Sequence, residues 1–159
     1  MTPLMLAVQN NVDLSIFDKF TALGASVAGR EQSSGYTTLH LAVITANTAY
    51  FMLGPSRARP EIRQYTYDNA ISILRSVAII YHDERRSYRD RDTTGGGWQA
   101  AHHIGWGGCV DALRVLIQNF GNQCVDKNTL TGDGLTVFAL AQQQDNAVYR
   151  YMDQWGLGY

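Results

Sequence analysis

The sequence predicts an all-α protein, a solenoid of stacked helix-turn-helix units joined by short hairpin-like loops. Residues 97–117 read as a Gly-bounded turn, a short apolar helix, a Gly-Gly break and a second helix that opens with Val110-Asp111. Two short helices of this kind cannot bury their apolar faces alone, so further copies should stack against them. Similar stretches do occur, at residues 2–8, 37–43 and, more weakly, 136–141.

These stretches resemble the ankyrin repeat, whose pattern Thr-Pro-Leu-His-x-Ala opens a unit of about 33 residues with a β-turn and two helices. The spacing is 35 residues from Thr2 to Thr37 and 37 from Gln99 to Thr136, but 62 from Thr37 to Gln99. The long interval indicates an insertion in the second repeat. The resemblance implies a single domain over 1–159, with repeats at about 1–34, 35–92, 93–132 and 133–159 and an inserted loop at about 48–67.

The first repeat supplies an inner helix over about 3–10, with Thr2 as its N-cap and Pro3 in the first turn. An outer helix follows, with apolar residues at helical spacing from Leu14 to Leu23, and Gly24 ends it. Residues 28–36 are polar and rich in turn formers, so we expect a projecting hairpin there.

The second repeat follows the pattern up to Asn47. Gly54-Pro55 and Pro60 then predict a loop between the two helices of this repeat. The outer helix is expected to resume near Asp68, a plausible N-cap, with an apolar stripe that ends at Tyr81.

The third repeat is the best-preserved copy, and residues 123–134 form the hairpin after it. In the fourth repeat, the spacing of Val148, Tyr151, Met152 and Trp155 predicts one face packed against the third repeat. Residues 142–144 are all Gln and keep the other face hydrated, as suits a terminal repeat.

Composition narrows the function classes. The formal charge is −1, with eight Arg against five acidic residues over 57–91 and five basic against nine acidic residues elsewhere. This balance argues against nucleic acid, and no apolar run has membrane length. Cys109 and Cys124 are expected to be free thiols, which places the chain inside the cell, in the cytoplasm or nucleus. We expect a monomer.

The histidines and cysteines form no catalytic or metal-binding motif. His40 and His102 occupy the motif His, which is expected to hydrogen-bond the hairpin backbone. The spacing of the histidines and cysteines does not match a zinc site, so we expect no metal and no cofactor. A Cys109–His103 nucleophilic pair would need a third group and a pocket.

The resemblance instead implies recognition on a concave face, made by the residue before each motif Thr, by positions after the motif Ala, and by the hairpin tips. Large aromatic residues and Arg are the usual anchors of such a surface. The expected partner-binding residues are Tyr36, Ile44, Thr45, Trp98, Trp106, Leu135, Gln143 and Arg91. The insertion would add contacts from Tyr50, Arg57, Arg59, Arg63 and Tyr65.

The sequence therefore predicts a protein–protein interaction module that holds a protein or peptide, as an inhibitor or regulator, and that is not an enzyme. The alternative is an enzyme or small-molecule binder, in which the inserted loop closes a pocket around His103, Cys109 and Trp106. A closed pocket beside those three residues would favour the alternative, and an open groove would favour the module.

Overall fold

The computed structural model describes residues 1–27, 29–54, 59–85 and 97–158, with the backbone alone at 83–85. This part of the chain is all-α, as predicted, and contains eight α-helices, one short 3₁₀ turn at Asn122–Val125 and a single isolated antiparallel bridge between Arg30 and Thr37. The helices are α1 (Pro3–Gln9), α2 (Leu14–Ala22), α3 (Thr38–Met52), α4 (Pro60–Arg85), α5 (Ala100–Gly107), α6 (Val110–Phe120), α7 (Val137–Gln144) and α8 (Ala147–Gln154).

The helices form four consecutive pairs. The first helices of the pairs, α1, α3, α5 and α7, pack side by side in chain order, and the second helices, α2, α4, α6 and α8, do the same. The apolar core runs continuously between these two rows, from Leu4 in α1 to Met152 in α8. Each pair therefore buries its apolar surface against the pair beside it.

Polar contacts at the helix starts follow the motif. The hydroxyl groups of Thr2, Thr37 and Thr136 accept hydrogen bonds from backbone amides three residues later, which satisfies donors that the helix leaves free. Three first helices thus begin with a Thr N-cap, and α1 has Pro3 in its first turn as expected.

The two motif histidines link neighbouring pairs. The backbone N–H of Thr37 donates to Nδ1 of His40, so Nε2 carries the proton and donates to the carbonyl oxygen of Trp98, 3.0 Å away. His102 does the same, with 2.9 Å from the amide of Gln99 and 3.1 Å to the carbonyl of Thr129. The expected bond to the next loop is confirmed for both rings.

The loop predicted at 48–67 is wrong at both ends, and residues 55–58 in its middle lie outside the described residues. Residues 48–52 continue α3, and residues 60–67 belong to α4, which begins at Pro60 rather than near Asp68. Proline is well suited to the first helical position, because its missing N–H is one the helix would leave free anyway. The additional residues of the second pair mainly lengthen both helices.

The last helix differs from its prediction in one residue. Val148 and Met152 are fully buried and Tyr151 is half-buried, as their spacing predicted, but the side chain of Trp155 is 65% exposed. The reason is that α8 ends at Gln154, so Trp155 no longer follows the buried face of the helix. Its indole lies against Tyr151, with ring centroids 6.1 Å apart.

Candidate binding groove

An open groove lies between the first two helical pairs, with a cavity of about 750 Å³. We call it the α1–α3 groove. Its residues come from the chain start at Met1, from the end of α1 and the turn after it, from the hairpin before α3, from one face of α3 and from α4. They are Met1, Gln9, Asn10, Asn11, Glu31, Ser33, Ser34, Tyr36, Leu41, Ile44, Thr45, Thr48, Ala49, Met52 and Thr66.

The floor of the α1–α3 groove is apolar and is held firmly to α1. Leu41 and Ala49 are buried, Ile44 is half-buried, and Met52 is 46% exposed at the far end. Thr45 lies among them and donates a 3.2 Å hydrogen bond to the carbonyl oxygen of Val8. The floor is therefore fixed to the neighbouring pair.

The hairpin before α3, at the opposite end of the groove from Met52, presents the carboxylate of Glu31. Glu31 accepts hydrogen bonds from the hydroxyl of Ser33 (2.7 and 2.8 Å) and from the amide (2.7 Å) and hydroxyl (2.5 Å) of Ser34. The bonds from the Ser34 and Ser33 hydroxyls are the main reason that the pKa of Glu31 falls to about 2. The carboxylate is ionised at any physiological pH.

A row of aromatic side chains continues from Tyr36 to the third pair. The ring centroids of Tyr36 and His103 are 5.8 Å apart, those of His103 and Trp98 are 5.1 Å apart, and those of Trp98 and Trp106 are 6.3 Å apart. We call Tyr36, His103, Trp98 and Trp106 the aromatic row. Trp98 is half-buried, whereas Trp106 is 53% exposed.

His103 is neutral within this row. Burial, together with the smaller effects of the nearby His40 and His102, lowers the pKa of its imidazole to about 3. Its Nε2 atom is buried and has no hydrogen-bond partner among the described residues. His103 therefore serves the row as an uncharged aromatic ring.

The structure brings five of the expected partner-binding residues to this side of the array. Tyr36, Ile44 and Thr45 line the α1–α3 groove, and Trp98 and Trp106 continue the aromatic row. Half-buried Leu135 and exposed Gln143 belong to the fourth pair and do not line the groove. Arg91 lies outside the described residues.

The residues assigned to the insertion are mostly engaged within the chain. Arg63 donates from Nη1 to the carbonyl oxygens of Leu53 and Gly54, and the hydroxyl of Tyr65 donates to the carboxylate of Asp13. These bonds join α4 to the end of α3 and to the start of α2. Of the remaining expected contacts, Tyr50 is half-exposed and the centroid of its ring lies 6.2 Å from that of Tyr67. Arg59 is exposed, and Arg57 lies outside the described residues.

Sequence reasoning missed the far end of the groove and the role of His103. Thr48, Met52 and Thr66 line the groove only because α3 and α4 are both longer than the motif predicts. The signal for this was the absence of a helix breaker between Asn47 and Gly54.

Cys109 lies in a different environment from the one a nucleophile needs. It is fully buried at the start of α6, and its Sγ is 3.5 Å from the hydroxyl of Tyr67, which donates a 2.5 Å hydrogen bond to Asp111. Burial raises the pKa of this thiol, whereas an attacking thiolate requires a lowered one. Cys124 is buried as well, which raises its pKa to about 12, and both thiols are free.

The described residues form neither a metal-binding cluster nor a membrane-spanning helix. No group of three or more His, Cys, Asp or Glu side chains is close enough together to hold a metal ion in the described part of the chain. Within those ranges, no helix combines the length and the hydrophobicity needed to cross a bilayer. The 26-residue α4 has the length but carries many polar side chains.

No protein-family model matches this sequence, and a search of curated proteins finds no match. The groove and the aromatic row therefore carry the functional argument.

Proposed function

We propose that the chain is an ankyrin-type solenoid of four repeats that binds a protein or peptide partner on its concave face. The concave face would comprise the α1–α3 groove and the aromatic row. A module of this kind acts by occupying its partner, as an inhibitor or regulator. Two buried free thiols are compatible with a reducing compartment such as the cytoplasm or nucleus.

Three features support the ankyrin assignment. The first and second helices each pack in chain order, so a repeat contacts its neighbour as in a one-dimensional array. His40 and His102 sit at the same motif position and make the same pair of backbone hydrogen bonds. Three of the four units open with a Thr N-cap.

The observation that carries the binding proposal is the exposure of Trp106. Its indole packs edge-on against Trp98, yet 53% of the residue remains accessible. Tryptophan is the residue most enriched among those that dominate interface energies, and exposed apolar surface beside a groove is typical of a binding site. A peptide that covers Trp106 would bury surface that folding leaves in water.

The enzyme alternative receives less support. The cavity of the α1–α3 groove is open and does not include His103, Cys109 or Trp106. The neighbour of Cys109 is Tyr67 from α4, and burial keeps the thiol protonated. The enzyme alternative requires a closed pocket beside these three residues. The α1–α3 groove is not such a pocket.

The test starts from peptides selected from a random library by the folded chain. We expect Trp106→Ala to raise the Kd of a selected peptide by about 30-fold, the equivalent of about 2 kcal/mol. The matched control is Trp155→Ala, because Trp155 is also exposed but lies at the end of α8. The control should change Kd less than about twofold, within the range of ordinary surface substitutions.

The thermal midpoint separates binding from folding. A Trp106→Ala variant that keeps its midpoint and loses affinity supports the proposal. Equal affinity for the wild type, for a Trp98→Ala/Trp106→Ala double variant and for a Thr48→Trp variant, whose indole fills the α1–α3 groove, would contradict it. A large drop in midpoint without a change in the affinity of the remaining folded protein would assign the two indoles to the core instead.

A further inference from the structure

We infer that the α1–α3 groove is a subsite for an extended peptide of about six residues, whose apolar side chains lie on α3 and whose terminal lysine or arginine pairs with Glu31. This inference rests on the proposed function and names the chemistry of the partner. It concerns the groove of the first two repeats, and not the aromatic row.

The length of the segment follows from the length of the floor. The residues that line the groove from α3 are Leu41, Ile44, Thr45, Thr48, Ala49 and Met52, spaced three and four apart, so they share one face of the helix. The floor runs from Leu41 to Met52, and at a rise of about 1.5 Å per residue this stretch of helix is roughly 17 Å long. An extended chain covers about 3.3–3.6 Å per residue, so about five residues span the floor, and the terminal basic residue makes about six.

The partner should present apolar side chains to that floor. Ile44 and Met52 are only partly covered by the fold, and the groove is bounded by polar side chains on its α1 side, such as Gln9 and Asn10. An apolar floor with polar edges suits an extended segment, because side chains can enter the floor while its backbone remains near polar groups and water.

The charge of the segment follows from Glu31. Among the described residues that line the groove, Glu31 is the one with a charged side chain. Four contacts from Ser33 and Ser34 hold its carboxylate in place, which lowers the entropy lost when a cation pairs with it. Arg30 does not line the groove but an adjoining hollow, which it shares with Thr2 and Gln32 and which Glu31 also lines.

The net charge of the chain outside residues 57–91 also favours a basic partner. Outside residues 57–91 the chain has five basic and nine acidic residues, a formal charge of −4. Complementary charge speeds the encounter between partners and disfavours those with the wrong sign. A basic segment is therefore attracted to the part of the chain that contains all the groove residues except Thr66.

The experiment uses an immobilised library of randomised heptapeptides and the full 159-residue chain. We expect apolar residues to be enriched at alternate positions and Lys or Arg at one end of the bound sequences. In Glu31→Gln, which keeps an acceptor for Ser33 and Ser34, the basic preference should disappear while the apolar preference remains. The matched control is Asp133→Asn, because Asp133 is exposed in the turn before α7 and does not line the groove.

For one selected basic peptide, Glu31→Gln should raise Kd about two- to fivefold at low salt, as for an exposed ion pair. High salt should remove most of that difference. Thr48→Trp fills the groove from an exposed position and should abolish binding, while circular dichroism reports whether each variant stays folded.

The outcomes separate this inference from the proposed function. Peptides that depend on Trp106 but show no basic preference, or the same preference in Glu31→Gln, would overturn the inference and leave the proposed function standing. Peptides unaffected by Thr48→Trp would overturn the groove as their location. A folded chain that selects no peptide at all would overturn both.

Discussion

Gly105→Ala tests the close packing between α5 and α7. A Cβ atom at residue 105 would lie 2.6 Å from the carbonyl oxygen of Val137, closer than real contacts allow, and the obstacle is backbone that cannot rotate away. Overpacking of this kind costs about 1–3 kcal/mol. Alanine favours a helix over glycine by roughly 0.5–1 kcal/mol, which offsets part of that cost. We expect a net loss of about 1–2 kcal/mol in the free energy of unfolding.

The measurement is urea unfolding followed by circular dichroism, together with the thermal midpoint. For a chain of this size each kcal/mol shifts the midpoint by about 2–4 °C, so a fall of roughly 2–8 °C is expected. The control is Gly29→Ala, where the nearest atom to the new Cβ would be 3.7 Å away. A Gly105→Ala variant that is as stable as the wild type, or more stable, would refute the packing of α5 against α7, because helix propensity alone raises stability.

Three further predictions concern the core. Tyr67→Phe removes the hydroxyl that donates to Asp111 and should lower the free energy of unfolding by about 1 kcal/mol. The loss stays this small because the Asp111 carboxylate is half exposed and water can replace the donor. An unchanged urea midpoint would contradict this prediction. His102→Ala should cost roughly 3 kcal/mol through a cavity and two lost hydrogen bonds, and His82→Ala, at an exposed position, should cost far less. The pKa of His103 is 6.5 in the unfolded chain and about 3 in the folded chain, so between these values the unfolded chain binds more protons. The free energy of unfolding should therefore fall by roughly 2 kcal/mol as the pH is lowered from 7 to 5. His103→Phe should remove that part of the loss, and identical pH dependence in urea unfolding would contradict it.

The local signals in the sequence predicted most of the helix starts. Thr2, Thr37 and Thr136 each cap a helix by accepting a hydrogen bond from the backbone amide three residues later. This bond forms within one turn of the chain and needs no contact with a distant residue. The role of His40 and His102 followed from their place in the motif. These features depend on a few neighbouring residues, so they can be read from a single sequence.

The second pair could not be predicted in the same way. Pro60 has the same chemistry whether it ends a helix or begins one, and which occurs depends on what α4 packs against. The stretch from Thr48 to Met52 carries no breaker, but its helical state requires a partner helix long enough to cover it. The spacing of residues in α8 likewise does not reveal that the helix ends before Trp155.

The candidate site likewise combines residues that local patterns predict with features that depend on distant contacts. Tyr36, Ile44, Trp98 and Trp106 were predicted from motif positions, and the structure brings them to one side of the array. The far end of the groove depends on the relative lengths of α3 and α4, which no local pattern encodes. The place of His103 in the aromatic row depends on contacts between the second and third pairs.

We propose that a peptide is held on the concave side of the row of helical pairs. The most direct measurement is the crystal structure of the chain with a library-selected heptapeptide. We expect peptide density along α3, between Glu31 and Met52, or across Trp98 and Trp106. Peptide density on the outer surface of α4 and α6, with the groove filled only by solvent, would contradict it.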